Sequence, residues 1–171
     1  MTEQQGGSDV GRTGTVARAA SDGSFLLTGT KWFTSATSAD MALALARPEG
    51  AADGSAGLSL FLLELRRPDG SWNGIHVRRL KDKMGTKALP TAELDLDGTV
   101  ATPVGGIGRG VAKIASLLNI ARLWAALAGP GSVGHLLALA RDYANKREVF
   151  GSRLHTPPDA HRVAGADRRG I

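Results

Sequence analysis

The sequence predicts an α+β fold in which a β-barrel or sandwich comes first and helices follow. Three observations carry this. Short β-compatible stretches at 13–19, 24–35, 40–47, 58–66, 74–80 and 91–97 are separated by turn clusters such as Ser21-Asp22-Gly23 and Pro68-Asp69-Gly70, and strands at that spacing build sandwiches and barrels. The run Leu58-Ser59-Leu60-Phe61-Leu62-Leu63 is almost continuously apolar, the pattern of a central strand buried on both faces. After Pro103 the period changes: Val111, Ile114, Leu117, Leu118, Ile120, Leu123, Trp124 and Leu127 recur at helical spacing.

These elements divide the chain in order. Residues 1–104 form the β-domain, and within it 13–100 are expected to be compact and mostly antiparallel, because the connections are short. Gly105-Gly106-Ile107-Gly108-Arg109-Gly110 marks a helix entrance, and residues 105–156 form the helices. The first helical run is about five turns long. Gly129-Pro130-Gly131 is expected to interrupt or kink it before a second run from Val133 through Tyr143. A broad apolar stripe of this kind needs other helices to bury it. Residues 157–171 read as an irregular tail.

Composition narrows the function classes. With 171 residues, 42% hydrophobic and 22% charged, the chain fits a soluble globular class. It has no cysteine, which excludes disulfides, thiolate metal sites and a cysteine nucleophile. His76, His135, His155 and His161 lack paired metal-ligand spacing, so no metal site is expected. No apolar run reaches membrane-span length and no signal core opens the chain, so the expected location is cytoplasmic, without a membrane partner. The net charge of +5 points only weakly to a polyanion, since four arginines fall in the last nineteen residues.

Four segments bear on chemistry. In Met1-Thr2-Glu3-Gln4-Gln5-Gly6-Gly7-Ser8-Asp9-Val10, the glycines and Ser8 form a loop whose N–H groups can approach a phosphate. Such a loop taken alone is more often a plain turn. Leu27-Thr28-Gly29-Thr30-Lys31-Trp32-Phe33-Thr34-Ser35-Ala36 reads as a strand, and its alternation puts Lys31, Phe33 and Ser35 on one face. The basic cluster of Arg78-Arg79-Leu80-Lys81-Asp82-Lys83-Met84-Gly85-Thr86-Lys87, with Thr91-Ala92-Glu93-Leu94 after it, reads as a solvated face. In Arg147-Glu148-Val149-Phe150-Gly151, a guanidinium suits phosphate oxygens and a ring suits adenine.

Together, in this order, the four segments resemble the motifs of the acyl-CoA dehydrogenase family over residues 1 to about 156. Thr2, Glu3, Gly7, Ser8 and Asp9 match its first signature, while Arg12 stands where a small residue is usual. The resemblance implies the middle β-domain of that fold followed by the first helices of its C-terminal four-helix bundle. It also implies FAD as cofactor. Thr2 is then expected at the flavin ring, Ser8 in the Gly7-Ser8 turn at the pyrophosphate, and Phe33 packed on the flavin. Either Thr34 or Ser35 carries the hydroxyl that meets the ring. Arg147 and Phe150 would reach the FAD of a neighbouring subunit, which implies a homodimer or homotetramer.

The implied reaction is α,β-dehydrogenation of an acyl-CoA, with a Glu as base. That Glu is not assigned to any residue of this chain: Ala121 precedes Arg122 where some branches place it. The expectation is therefore a truncated, inactive fragment with no catalytic residue. The wording of Lys31-Trp32-Phe33 and Arg79-Leu80-Lys81-Asp82-Lys83-Met84-Gly85 is most similar to the alkylation-response flavoprotein branch. This gives an alternative expectation: a DNA-associated flavoprotein with little dehydrogenase activity. Where the family continues with a helix, Pro157-Pro158 breaks the pattern. Codons for Pro157 through Arg169 shifted by one base can read Arg-Pro-Met-His-Thr-Ala-Ser-Pro-Ala-Leu-Thr-Val-Glu, so the tail is expected to be out of frame.

Overall fold

The computed structural model describes residues 1–5, 7–149 and 151–155. Six strands follow the predicted stretches: β1 (Val16–Ala19), β2 (Phe25–Thr34), β3 (Met41–Pro48), β4 (Ser59–Glu64), β5 (Ile75–Leu80) and β6 (Ala92–Pro103). They form one sheet in the order β2-β1-β3-β4-β6-β5, and β2 also pairs with β6. The extra pairing closes β2, β1, β3, β4 and β6 into a ring, with β5 flanking β6. Closure removes the open edges that a flat sheet would expose. All pairings are antiparallel except the short parallel contact of β1 with β3.

Alternating side chains fill the ring. Leu27, Ala44, Ala46, Phe61, Leu63, Leu94 and Leu96 belong to one buried cluster. The Phe25 and Phe61 rings pack within it at 5.2 Å between centroids. β4 is apolar on both faces for a structural reason. Phe61 and Leu63 point into this cluster, while Leu60 on the other face lies under the start of a helix. At Gly110 a Cβ would stand 2.6 Å from the Ser59 carbonyl carbon and 2.9 Å from Leu45 Cδ2. Only glycine lets the helix approach β4 so closely. The Gly110 N–H donates to Leu58 O at 2.8 Å, and Ile114 is buried one turn later.

That helix, α1, runs without interruption from Gly110 to Lys146, about ten turns. The helix is not interrupted at Gly129-Pro130-Gly131, and Pro130 sits inside it. A proline removes one main-chain donor and crowds one carbonyl, but the helical period resumes at once with Val133, Leu136 and Leu137. Joining the two runs has a further consequence. Contrary to the reading that no apolar run reaches membrane-span length, α1 is long and apolar enough to cross a membrane by length and composition. A helix that buries its stripe against other helices has the same character.

Two compact units divide the chain, Met1–Leu117 and Leu118–Ile171. In the second, β7 (Glu148–Val149) and β8 (Ser152–Arg153) form a small hairpin after α1. Ile120, Leu123, Trp124, Leu127 and Leu136 are exposed. The expected frameshifted tail after Thr156 lies outside the described residues.

Candidate functional site

Two separate stretches of chain meet at one end of the barrel. The Trp32 N–H donates to Thr2 O at 2.8 Å, which lays the first residues alongside β2. Beside Thr2, Glu3 is 3% exposed and Lys31 is 6% exposed. Lys31 Nζ donates to Glu3 Oε1 at 2.6 Å and to Leu45 O at 2.8 Å. The same Glu3 carboxylate accepts from Thr15 Oγ1 at 2.5 Å, from the Gly14 N–H at 2.6 Å and from Gln5 Nε2 at 3.0 Å. Burial alone would raise the Glu3 pKa. The Lys31 charge and the hydrogen bonds from Lys31, Thr15 and Gly14 outweigh it and hold the carboxyl below its ordinary value. Burial lowers the Lys31 pKa, and Glu3 opposes that.

Lys31, Phe33, Thr34 and Ser35 line a cavity of about 310 Å³ at this end of the barrel. Its deeper wall is apolar, from Ala44, Leu63, Ile75, Leu94 and Leu96. The β2–β6 register shifts between Lys31 and Thr34. A bulge of this kind breaks strict alternation, which is why both Thr34 and Ser35 reach the cavity. Ser35 Oγ hydrogen-bonds Thr91 Oγ1 at 3.0 Å. The Phe33 ring, at 55% exposure, lies open on the rim although it is a large aromatic.

Gly7 packs on Thr2: a Cβ there would stand 3.0 Å from Thr2 Cγ2. Ser8 is exposed, and Asp9 Oδ1 accepts from the Gly11 N–H at the head of the short helical turn Val10–Arg12. The first unit thus brings Thr2 and Gly7 together, and it places Phe33, Thr34 and Ser35 on one cavity. Arg147 stands in the second unit, where its N–H donates to Tyr143 O and its carbonyl accepts from the Leu154 N–H, both at 2.8 Å. Phe150 lies outside the described residues.

Of the cluster read as a solvated face, Arg78 and Arg79 are exposed, but Lys81 is largely covered. Lys81 Nζ lies 3.8 Å from the Trp32 ring centroid and 4.6 Å from that of Phe33. It also pairs with Glu93, which Arg79 engages at 2.7 Å. Glu93 is buried between Ala92 and Leu94 on β6. Its hydrogen bond from Arg79 is the largest influence holding its pKa below the ordinary value. The sequence did contain the signal: a Glu flanked by core residues in a strand needs cations, and the basic cluster supplies them.

These depressed carboxyls predict an acid transition. Glu3 and Glu93 titrate below the ordinary glutamate value of 4.5, so the folded state binds fewer protons than the unfolded state. Their stabilisation is complete above that value and is lost as pH falls through the folded pKa values. Urea midpoints are expected to drop steeply below about pH 4.5 as these carboxyls protonate, on top of a shallower decline between pH 8 and pH 6 from the N-terminal amine, whose pKa burial lowers to about 6. A midpoint independent of pH down to about pH 3 would refute the buried pairing of these carboxylates.

The acyl-CoA dehydrogenase middle-domain model matches residues 1–99. The chain belongs to the acyl-CoA dehydrogenase family. It is 52% identical over 166 residues to acyl-CoA dehydrogenase family member 11 of Caenorhabditis elegans, covering 91% of this chain and 27% of that protein. Against the AidB protein of Escherichia coli (strain K12) the identity is 36% over 158 residues, covering 92% and 28%. A crystal structure of Caenorhabditis elegans ACDH-11 in complex with C11-CoA superposes with a TM-score of 0.89 at 47% identity, covering 98% of this chain and 29% of that one. The chain thus spans under a third of the length of these relatives. The family match runs from the Thr2-Glu3 segment into β6, as far as Thr99.

Proposed function

We propose that this chain forms the flavin-facing part of an acyl-CoA dehydrogenase, with FAD as cofactor and an acyl-CoA as the substrate of the whole protein. The observation that carries the reading is the exposed Phe33 ring on the cavity rim, beside the Thr34 and Ser35 hydroxyls, with Met1 of the Thr2 segment lining the same cavity. An open aromatic with adjacent hydrogen-bonding groups fits a flat, polar-edged ring system. FAD, when bound, supplies the hydride acceptor for α,β-dehydrogenation. Phe33 would pack against the ring, Thr2 and either Thr34 or Ser35 would hydrogen-bond its polar edge, and Ser8 would meet the pyrophosphate. Arg147 and Phe150 are proposed to serve the FAD of a neighbouring copy in a dimer or tetramer.

Because the site is shared with parts beyond these residues, the isolated chain is expected to bind FAD weakly and to lose it on gel filtration. Equilibrium dialysis at high FAD concentration should still show saturable binding. Aromatic packing contributes about 0.5–1.5 kcal/mol, so Phe33→Ala should weaken it roughly two- to tenfold. A stable yellow complex on gel filtration contradicts the shared site, and absence of saturable binding contradicts the flavin reading. Salt-sensitive DNA binding by a preparation that takes no FAD would favour the DNA-associated alternative.

A further inference from the structure

The Met1–Gln5 segment is fastened to the barrel by very little main-chain pairing. Its strand-like contact is a single β-bridge at Glu3 with the Trp32 N–H to Thr2 O bond, and β2 loses regular register with β6 just beyond Lys31. Main-chain pairing alone therefore leaves the separation between Thr2 and Phe33 weakly determined. Side chains supply the rest. Through Lys31, Glu3 is tied to β2 and onward to Leu45 O on β3. Through Thr15 and Gly14, it is tied to the entry of β1. One carboxylate thus collects donors from separate stretches of chain, at the residue next to Thr2 and two residues short of Phe33.

We propose that Glu3 and Lys31 are positioning residues whose buried pair sets Thr2 against Phe33, Thr34 and Ser35, holding together the two halves of the flavin-facing surface. This rests on the flavin reading above for its purpose, but not for its geometry. A pair that only stabilised the fold would strengthen the barrel evenly. A positioning pair adds a local effect, so its loss opens the Thr2 segment well beyond whatever stability the distant strands lose.

Native-state amide hydrogen exchange on the 171-residue chain separates the two. Glu3→Gln keeps the side-chain shape but removes the charge and turns an N–H₂ toward neighbouring donors. The Trp32 amide, which bonds Thr2 O, should lose protection at least about tenfold more than the Val104 amide, which bonds Leu60 O at 2.8 Å. Thr15→Val, which removes one hydroxyl donor to Glu3, should produce the same local loss at smaller size. It serves as the test if Glu3→Gln fails to fold. Equal loss at both amides, or none at Trp32, overturns the proposal. Dialysis of the unaltered chain against FAD is scored separately: its failure sinks the flavin reading and leaves the exchange result standing.

Discussion

Phe61→Ala is expected to destabilise the barrel by about 3–5 kcal/mol, the usual cost of emptying a buried aromatic site. Phe61 is fully buried, packs on Phe25 at 5.2 Å and belongs to the cluster that fills the ring. Its strand is held by β3 along its length and by β6 at Phe61 and Leu62. A closed ring cannot collapse onto the vacancy without breaking one of those ladders, so most of the cavity should persist. Urea unfolding followed by far-ultraviolet circular dichroism measures the change. A loss under about 1 kcal/mol would mean that the interior is not closed around Phe61. Leu60→Ala, on the other face of β4 beneath Gly110, serves as a comparison in which the start of α1 is disturbed instead.

The strands were legible because barrel strands carry their own evidence: turn residues between them, and a run such as Leu58–Leu63 that only a two-sided burial explains. Motif order singled out Thr2, Phe33, Thr34 and Ser35, and the last three line one cavity. Period alone put Lys31 on a face with Phe33 without showing that one would be buried and the other open. Of the ion pairs, the sequence signals only that Glu93 needs cations, not which residues pair. Glu3–Lys31 spans twenty-eight positions and Lys81–Glu93 spans twelve, and neither spacing has a local signature. Closure of the ring decides them. Pro130 acts in the opposite direction: of the interruption or kink it signals locally, the interruption is overridden by the apolar period on both sides.

The second large effect is expected at the Glu3–Lys31 pair, and its two members should not cost the same. Removing one partner of a buried pair leaves the other charged and unmatched, at about 3–5 kcal/mol. Lys31→Met strands the Glu3 carboxylate, but Thr15, Gly14 and Gln5 still donate to it, and protonation at mildly acidic pH can relieve the rest. Glu3→Leu is worse. It strands a buried ammonium with only Leu45 O as acceptor, and it orphans the Gly14 N–H and the Thr15 hydroxyl as well. The buried Thr15 hydroxyl left unsatisfied adds about 1–3 kcal/mol. The double variant Glu3→Leu/Lys31→Met should therefore remain well below the unaltered chain in stability, although exchanging a simple buried pair for apolar residues is often neutral. The stability of Lys31→Met should also recover, relative to the unaltered chain, as pH falls toward 5, because a Glu3 left without its cation protonates more readily. Chemical denaturation of the three variants at pH 7 and at pH 5 provides the comparison. If Lys31→Met proves the more damaging single change, or if the double variant matches the unaltered chain, then Glu3 acts as half of an ion pair and not as the hub for these donors.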